Sequence, residues 1–229
     1  MSGRQLVIFG CSGVLVDCEP MIARIHARLI SSAGHPVDAG ELVERFGGLV
    51  FRDVLMALEK QSSVPFQAVL IDEAERVIAA RLGREARATE GARAAVEAAG
   101  DHRCVCTNLP QKLAAEALER AGLADLFRHR VFSAADLSAG RPKPAPDIFL
   151  HAAQTLAAEP GDVMVVEDTR PGVVAARAAG MRVIGYTGGS HGYPGHADDL
   201  TEAGAETVIS RWSDLGPVLA ALAAWRDPG

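Results

Sequence analysis

Five short runs dense in Val and Ile, spaced along the chain by Ala-rich stretches, constrain this sequence more than any other feature. The runs are Leu6–Phe9, Arg103–Thr107, Val163–Val166, Arg182–Tyr186 and Thr207–Ile209. They are too short for helices and lack polar alternation, which is the pattern of strands buried on both faces in a parallel sheet. Between them, Lys112–Ala121, Ile148–Ala157 and Pro171–Ala179 place apolar residues at helical spacing. Strand and helix alternate, so the spacing predicts an α/β fold: a doubly wound parallel sheet.

One segment breaks the rhythm. From Glu19 to Ala88 no strand pattern occurs. Ile22, Ile25, Leu29 and Ile30 make one helical face, followed by Leu42–Phe46, Val54–Leu58 and Val69–Leu82. Because the first strand precedes this segment, it reads as an inserted all-helical cap domain rather than a separate N-terminal domain. The expected division is a core of 1–17 and 89–229 with a cap of 18–88.

Composition narrows the function classes. Hydrophobic residues make up 48% of the 229, enough to bury a core and to exclude wholesale disorder. Lys and Arg number 23 against 29 Asp and Glu, for a net charge of −6 and no basic run. That argues against nucleic acid or an anionic membrane surface as partner. No apolar run approaches the roughly 20 residues of a membrane span. Met1–Phe9 lacks the layout of a signal peptide, so a cytoplasmic protein is expected. The four cysteines, Cys11, Cys18, Cys104 and Cys106, form no C-x-x-C pair and read as buried thiols. A metal site from Cys11, Cys104, Cys106 and His102 has no ligand spacing to support it.

In open parallel sheets ligands bind beyond the carboxyl ends of the strands. Gly10-Cys11-Ser12-Gly13-Val14-Leu15-Val16-Asp17 follows the first run. Thr107-Asn108-Leu109-Pro110 follows the second and opens a helix, where a hydroxyl and free backbone N–H groups suit an anion; an ordinary helix cap reads equally well. Glu167-Asp168-Thr169-Arg170-Pro171-Gly172 follows the third, and its adjacent carboxylates offer hard oxygens of the kind Mg²⁺ takes. Gly140-Arg141-Pro142-Lys143-Pro144-Ala145-Pro146 reads as an extended, proline-stiffened strip presenting a lysine. Only Lys60, Lys112 and Lys143 are lysines, so a compact ammonium at 143 reads as a choice.

Together these segments resemble the haloacid dehalogenase superfamily, in particular its phosphatase-like members with a helical cap after the first strand. Phe9-x-x-x-Gly13-Val14-Leu15-Val16-Asp17-x-Glu19-Pro20 is similar to the first family motif and Thr107-Asn108 to the second. Arg141-Pro142-Lys143-Pro144 is similar to the third, and Val166-Glu167-Asp168-Thr169-x-x-Gly172 with Ala175-Ala176-x-x-Ala179-Gly180 to the fourth. The resemblance implies Mg²⁺-dependent hydrolysis of small phosphate monoesters through an aspartyl phosphate. It implies phosphate contacts from Thr107, Asn108 and Lys143, and a metal held by Asp168, Glu167 and the Ser12 backbone carbonyl. Phe46-Gly47-Gly48-Leu49 resembles the cap's glycine turn, with Arg45 and Arg52 nearby as anion contacts or as solvated surface arginines.

The first motif departs from the family where chemistry depends on it. The family's Asp-x-Asp-Gly-Val is here Gly10-Cys11-Ser12-Gly13-Val14. Gly10 stands at the nucleophile position and cannot attack phosphorus or bind a metal through a side chain. Ser12 stands at the acid–base position with a hydroxyl, a poor proton-transfer group near pH 7. Cys11 should turn away from the cleft by strand alternation. A serine-hydrolase elbow has the wrong glycine spacing, and His191 and His196 read as loop residues. The expectation is a catalytically impaired, phosphate-binding pseudo-phosphatase. Its Mg²⁺ binding should be weak or absent, and its ligand a small phosphorylated metabolite or inorganic phosphate. Two alternatives stand beside it: a hydrolase of altered mechanism, and a chain whose acidic pair was exchanged by design.

Overall fold

The computed structural model describes residues 5–61, 68–138 and 140–224; residues 1–4, 139 and 225–229 of the expected core, and 62–67 of the expected cap, lie outside them. Six strands form one sheet: β1 (Leu6–Phe9), β2 (Arg103–Thr107), β3 (Val131–Ser133), β4 (Val163–Glu167), β5 (Arg182–Tyr186) and β6 (Thr207–Ile209). Their order is β3-β2-β1-β4-β5-β6 and every pairing is parallel. The helices are α1 (Glu19–Ser32), α2 (Ala39–Phe46), α3 (Phe51–Glu59), α4 (Val69–Glu85), α5 (Ala92–Ala98), α6 (Gln111–Arg120), α7 (Ala124–Phe127), α8 (Asp147–Thr155), α9 (Arg170–Ala178), α10 (His196–Glu202) and α11 (Leu215–Ala224).

Strand alternation divides the core in two. Val7, Phe9, Val105 and Val166 face one cluster with α1, α3 and α6, whereas Leu6, Ile8, Cys106 and Val165 face another with α8 and α9. Both faces are covered, as the unbroken apolar runs require. The sheet is doubly wound. β3 had no counterpart among the sequence-predicted strands: three residues between a charged turn and a 3-10 turn carry too little pattern to read. β4 runs one residue further than its apolar run, so Glu167 belongs to the strand.

Helices α1–α4 stand between β1 and α5, as the inserted-cap reading expects. Asp38 starts α2 by accepting the Gly40 N–H at 2.7 Å, and Pro20 sits in the first turn of α1, where its missing N–H is not needed. The insertion departs and returns at one place. Asp17 N–H donates to Arg87 O at 2.9 Å, Thr89 N–H to Leu15 O at 3.0 Å, and Thr89 Oγ1 to Val14 O at 2.7 Å.

Candidate active site

Strand register builds the site. Phe9 pairs with both Val105 and Val166, so Gly10, Cys106 and Glu167 come next at one level along the carboxyl edge. Gly10 N–H donates to Val166 O at 2.9 Å, continuing the ladder one residue past β1. Gly10 and Glu167 therefore face the same side of the sheet. A Cβ on Gly10 would lie 3.3 Å from Glu167 Oε1 and 2.8 Å from Val14 Cγ2, and the Gly10 φ is outside the left-handed region.

Lys143 rises from that side. Its Nζ contacts Glu167 Oε1, donates to Cys106 O at 2.9 Å and sits 4.9 Å from the Phe149 ring centroid. Both partners of the ion pair are buried, at 7% and 2% side-chain exposure. Burial lifts the Glu167 carboxyl above its ordinary range, and the Lys143 ammonium pulls it back. Glu167 Oε2 accepts the Asp168 N–H at 3.1 Å. A side chain at position 172 would collide with this carboxylate, which is why glycine stands there.

The lysine is not presented on an extended strip. Ala145 N–H donates to Pro142 O at 2.9 Å, closing a turn around a cis Lys143–Pro144 bond. Asn108 fastens this turn, accepting the Lys143 N–H at 2.9 Å and donating to Gly48 O of the cap's glycine turn at 3.0 Å. Thr107 is buried, with its hydroxyl accepting the Leu109 N–H at 3.1 Å. The start of α6 is less free than its sequence suggests, because Gln111 N–H donates to Asp136 Oδ2 at 2.7 Å.

Sequence reasoning undervalued His191 and His196. His191 is a loop residue, as expected, and His196 opens α10, but both are buried. His191 Nε2 lies 2.9 Å from Asp168 Oδ2, and His196 Nε2 lies 2.7 Å from the Asp168 carbonyl oxygen. Burial lowers the His191 pKa, but the Asp168 carboxylate, aided by Glu19 and Asp17, outweighs it and holds the value at about 9. His191 is cationic at neutral pH. Asp17 Oδ1 secures the loop by accepting Ser190 N–H at 3.2 Å and its hydroxyl at 2.7 Å. Gly13, at φ +77°, lies against the Asp168–His191 pair, where any side chain would collide with the carboxylate. The signal was a Gly188-Gly189-Ser190-His191 run beyond β5, the carboxyl-end rule applied one strand further.

The other residues of interest make none of these side-chain contacts. Cys11 packs into the face opposite Gly10, and burial pushes its thiol up to about 12. All four cysteines are free and buried. Arg45 pairs with Glu41 on α2, and Arg52 is exposed beside Asp53. Glu19 lines the cleft; burial, then the charge of Asp168, raises its pKa to about 7.

These contacts bear on whether Mg²⁺ fits. A hard divalent cation needs several free oxygens, carboxylates among them. Gly10 offers no side chain, Glu167 is held by Lys143, and Asp168 Oδ2 is covered by His191. Among the described residues no group of three or more His, Cys, Asp or Glu is placed to hold a metal. The residues present do not fit a resident Mg²⁺.

The haloacid dehalogenase-like hydrolase family pattern matches residues 5–180. The chain belongs to that family. A conserved haloacid dehalogenase-like protein of unknown function from Agrobacterium tumefaciens is 46% identical, with a TM-score of 0.87 over 96% of this chain and 100% of that one. The phosphorylated carbohydrates phosphatase of Thermotoga maritima is 33% identical over 214 residues, 90% of this chain and 94% of that protein. A haloacid dehalogenase family hydrolase from Deinococcus radiodurans, solved with bound phosphate and sodium, is 27% identical with a TM-score of 0.75 over 97% and 98% of the two chains. Hydrolases of this superfamily with phosphatase activity generally use Mg²⁺. Among the described residues no helix is long and apolar enough to cross a membrane.

Proposed function

We propose that this chain is a catalytically impaired, phosphatase-like protein whose cleft holds a small phosphorylated metabolite or inorganic phosphate without Mg²⁺. In this reading residues 1–17 and 89–229 form the binding core, 18–88 form the cap, and the protein works in the cytoplasm. One observation carries it: the level of the sheet where a nucleophile would stand holds Gly10, and the nearest carboxylate, Glu167, is tied to Lys143.

An ammonium has three donors. Glu167 and the Cys106 carbonyl take two from Lys143, leaving one for a phosphoryl oxygen, with Thr107 and Asn108 lining the same cavity. Because Lys143 and His191 neutralise Glu167 and Asp168, an entering anion meets little uncompensated charge from that pair. Mg²⁺ binding is too weak to matter at physiological concentration. The bound phosphoryl group is then held but not attacked, since Gly10 carries no nucleophile and the Ser12 hydroxyl is a poor acid.

A second reading, a hydrolase of altered mechanism, is favoured by Glu19. A cleft carboxyl titrating at about 7 suits general acid–base work on an attacking water. Hydrolysis of 4-nitrophenyl phosphate with Mg²⁺ separates the two. The parent should stay at background, and Gly10→Asp with Ser12→Asp should exceed both single variants by far more than the product of their effects. The Gly10 backbone accepts this change without left-handed strain, so folding of the variant is a fair condition of the test. A parent rate within about tenfold of the folded double variant, abolished by Glu19→Gln, would establish the second reading instead. Loss of a subtilisin nucleophile costs about 10⁶ in kcat, the scale of gap expected.

A further inference from the structure

The cavity that begins at Lys143 has a volume of about 450 Å³ and continues beneath α1, α3 and α4. There its walls change character. Ile22, Leu49, Phe51, Ile71, Ala74 and Ile78 line it, and all but Leu49 and Ile71 are buried. The charged side chains of this end, Arg52 and Glu75, are exposed at the rim.

Among the described residues, one further polar side chain, His26, interrupts that wall. His26 Nε2 is buried without a hydrogen-bond partner, and its ring lies flat on Phe51, with centroids 4.0 Å apart and planes at 6°. Burial lowers the imidazole pKa to about 4, so at neutral pH it is uncharged. A buried polar atom left unpaired costs free energy, which a ligand atom can recover once a small turn of the ring exposes the nitrogen to the cavity. A phosphorylated polyol would carry several hydroxyls into this wall, where all but one would lose water without finding a partner. An aromatic ring loses nothing of the kind and gains the apolar contact.

We propose that the cap end of this cleft selects phosphate monoesters of apolar, preferably aromatic, alcohols with one hydrogen-bonding atom for His26, over phosphorylated polyols. This rests on the phosphate-binding reading above and gives its ligand a chemical class.

Calorimetric titration of the whole chain in EDTA with inorganic phosphate, phenyl phosphate, the three hydroxyphenyl phosphates and glucose 6-phosphate tests it. Phenyl phosphate should bind about tenfold tighter than inorganic phosphate, and glucose 6-phosphate no tighter. One hydroxyphenyl isomer should gain further, and His26→Phe, which keeps a ring on Phe51, should erase that gain. Ile71→Ser, at a half-buried position, should remove the phenyl advantage and leave inorganic phosphate binding unchanged. Phosphate bound normally with glucose 6-phosphate equal to or tighter than phenyl phosphate would overturn the inference alone. No binding of inorganic phosphate would overturn the reading beneath it, and the inference with it.

Discussion

His191, beside Asp168, and His26, under the cap, border different cavities, and the same imidazole is pushed in opposite directions. His191 packs on Asp168 and stays protonated to about pH 9, although burial opposes it. His26 packs on Phe51 with no carboxylate beside it, and burial alone lowers its pKa to about 4. The contrast describes the two regions around them. The core end is built of charges that cancel in pairs, Lys143 with Glu167 and His191 with Asp168. Among the described residues the cap end is apolar apart from His26, whose Nε2 is unpaired, while at the core end His191 Nδ1 and His196 Nδ1 are also without hydrogen-bond partners. In the proposed reading an anion is met at one end and an apolar group at the other.

The largest effect should come from breaking a core-end pair. Lys143→Met leaves the buried Glu167 carboxylate alone and should cost about 3–5 kcal/mol in urea unfolding. Adding Glu167→Gln should return most of that stability without restoring phosphate binding. If Lys143→Met alone were neutral, the core end would not be a set of mutually dependent charges.

Next comes His191. Its folded pKa lies above its ordinary 6.5 at about 9, so the stability it contributes is complete below pH 6.5 and is lost as pH rises through 9. The loss should be about 3 kcal/mol across that window. His191→Gln should flatten this part of the profile, and an unchanged alkaline slope in the variant would deny the ion pair its weight.

The cap end should show the opposite sign and a smaller effect. The folded pKa of His26 is depressed to about 4, so its contribution is complete above pH 6.5 and is lost as pH falls towards 4. The loss should be about 2 kcal/mol, since the ring is only half-buried. Glu19, raised from 4.5 to about 7, runs against this by losing stability as pH rises between those values. The comparison is therefore parent against His26→Phe, which both share Glu19. If the two acid limbs coincide, His26 is not held neutral by its surroundings.

The strands legible in the sequence were the Val-, Ile- and Cys-rich runs, Val163–Val166 most clearly and even the three-residue β6, because burial on both faces writes itself locally. β3 (Val131–Ser133), with a single Val, was not legible. Glu167 and Asp168 could be singled out because their motif lies at a strand end, and Lys143 because prolines flank it and lysines are few. Their pairing partners were harder. The ion pair of Asp168 is with His191, a residue beyond the next strand, on a loop brought down by the close approach of Gly189 to Gly13 and by the hydrogen bonds of Ser190 to Asp17. Proline spacing around Lys143 suggested extension, whereas a hydrogen bond from Ala145 to Pro142 closes a turn. Contacts set by tertiary packing leave no periodicity to read. The missing acidic pair, Gly10 and Ser12, is visible in the sequence outright; that its neighbour Glu167 is occupied by Lys143 is visible only in three dimensions.

If the remaining charges of the site are spent on each other, as the Lys143–Glu167 and His191–Asp168 pairs suggest, phosphate binds without a metal. Isothermal titration of the chain with inorganic phosphate, in EDTA and again in millimolar Mg²⁺, addresses it most directly. The two isotherms should coincide, with one phosphate bound and no separate heat from Mg²⁺ alone. Phosphate binding that appears only with Mg²⁺, or stoichiometric Mg²⁺ binding on its own, would contradict it.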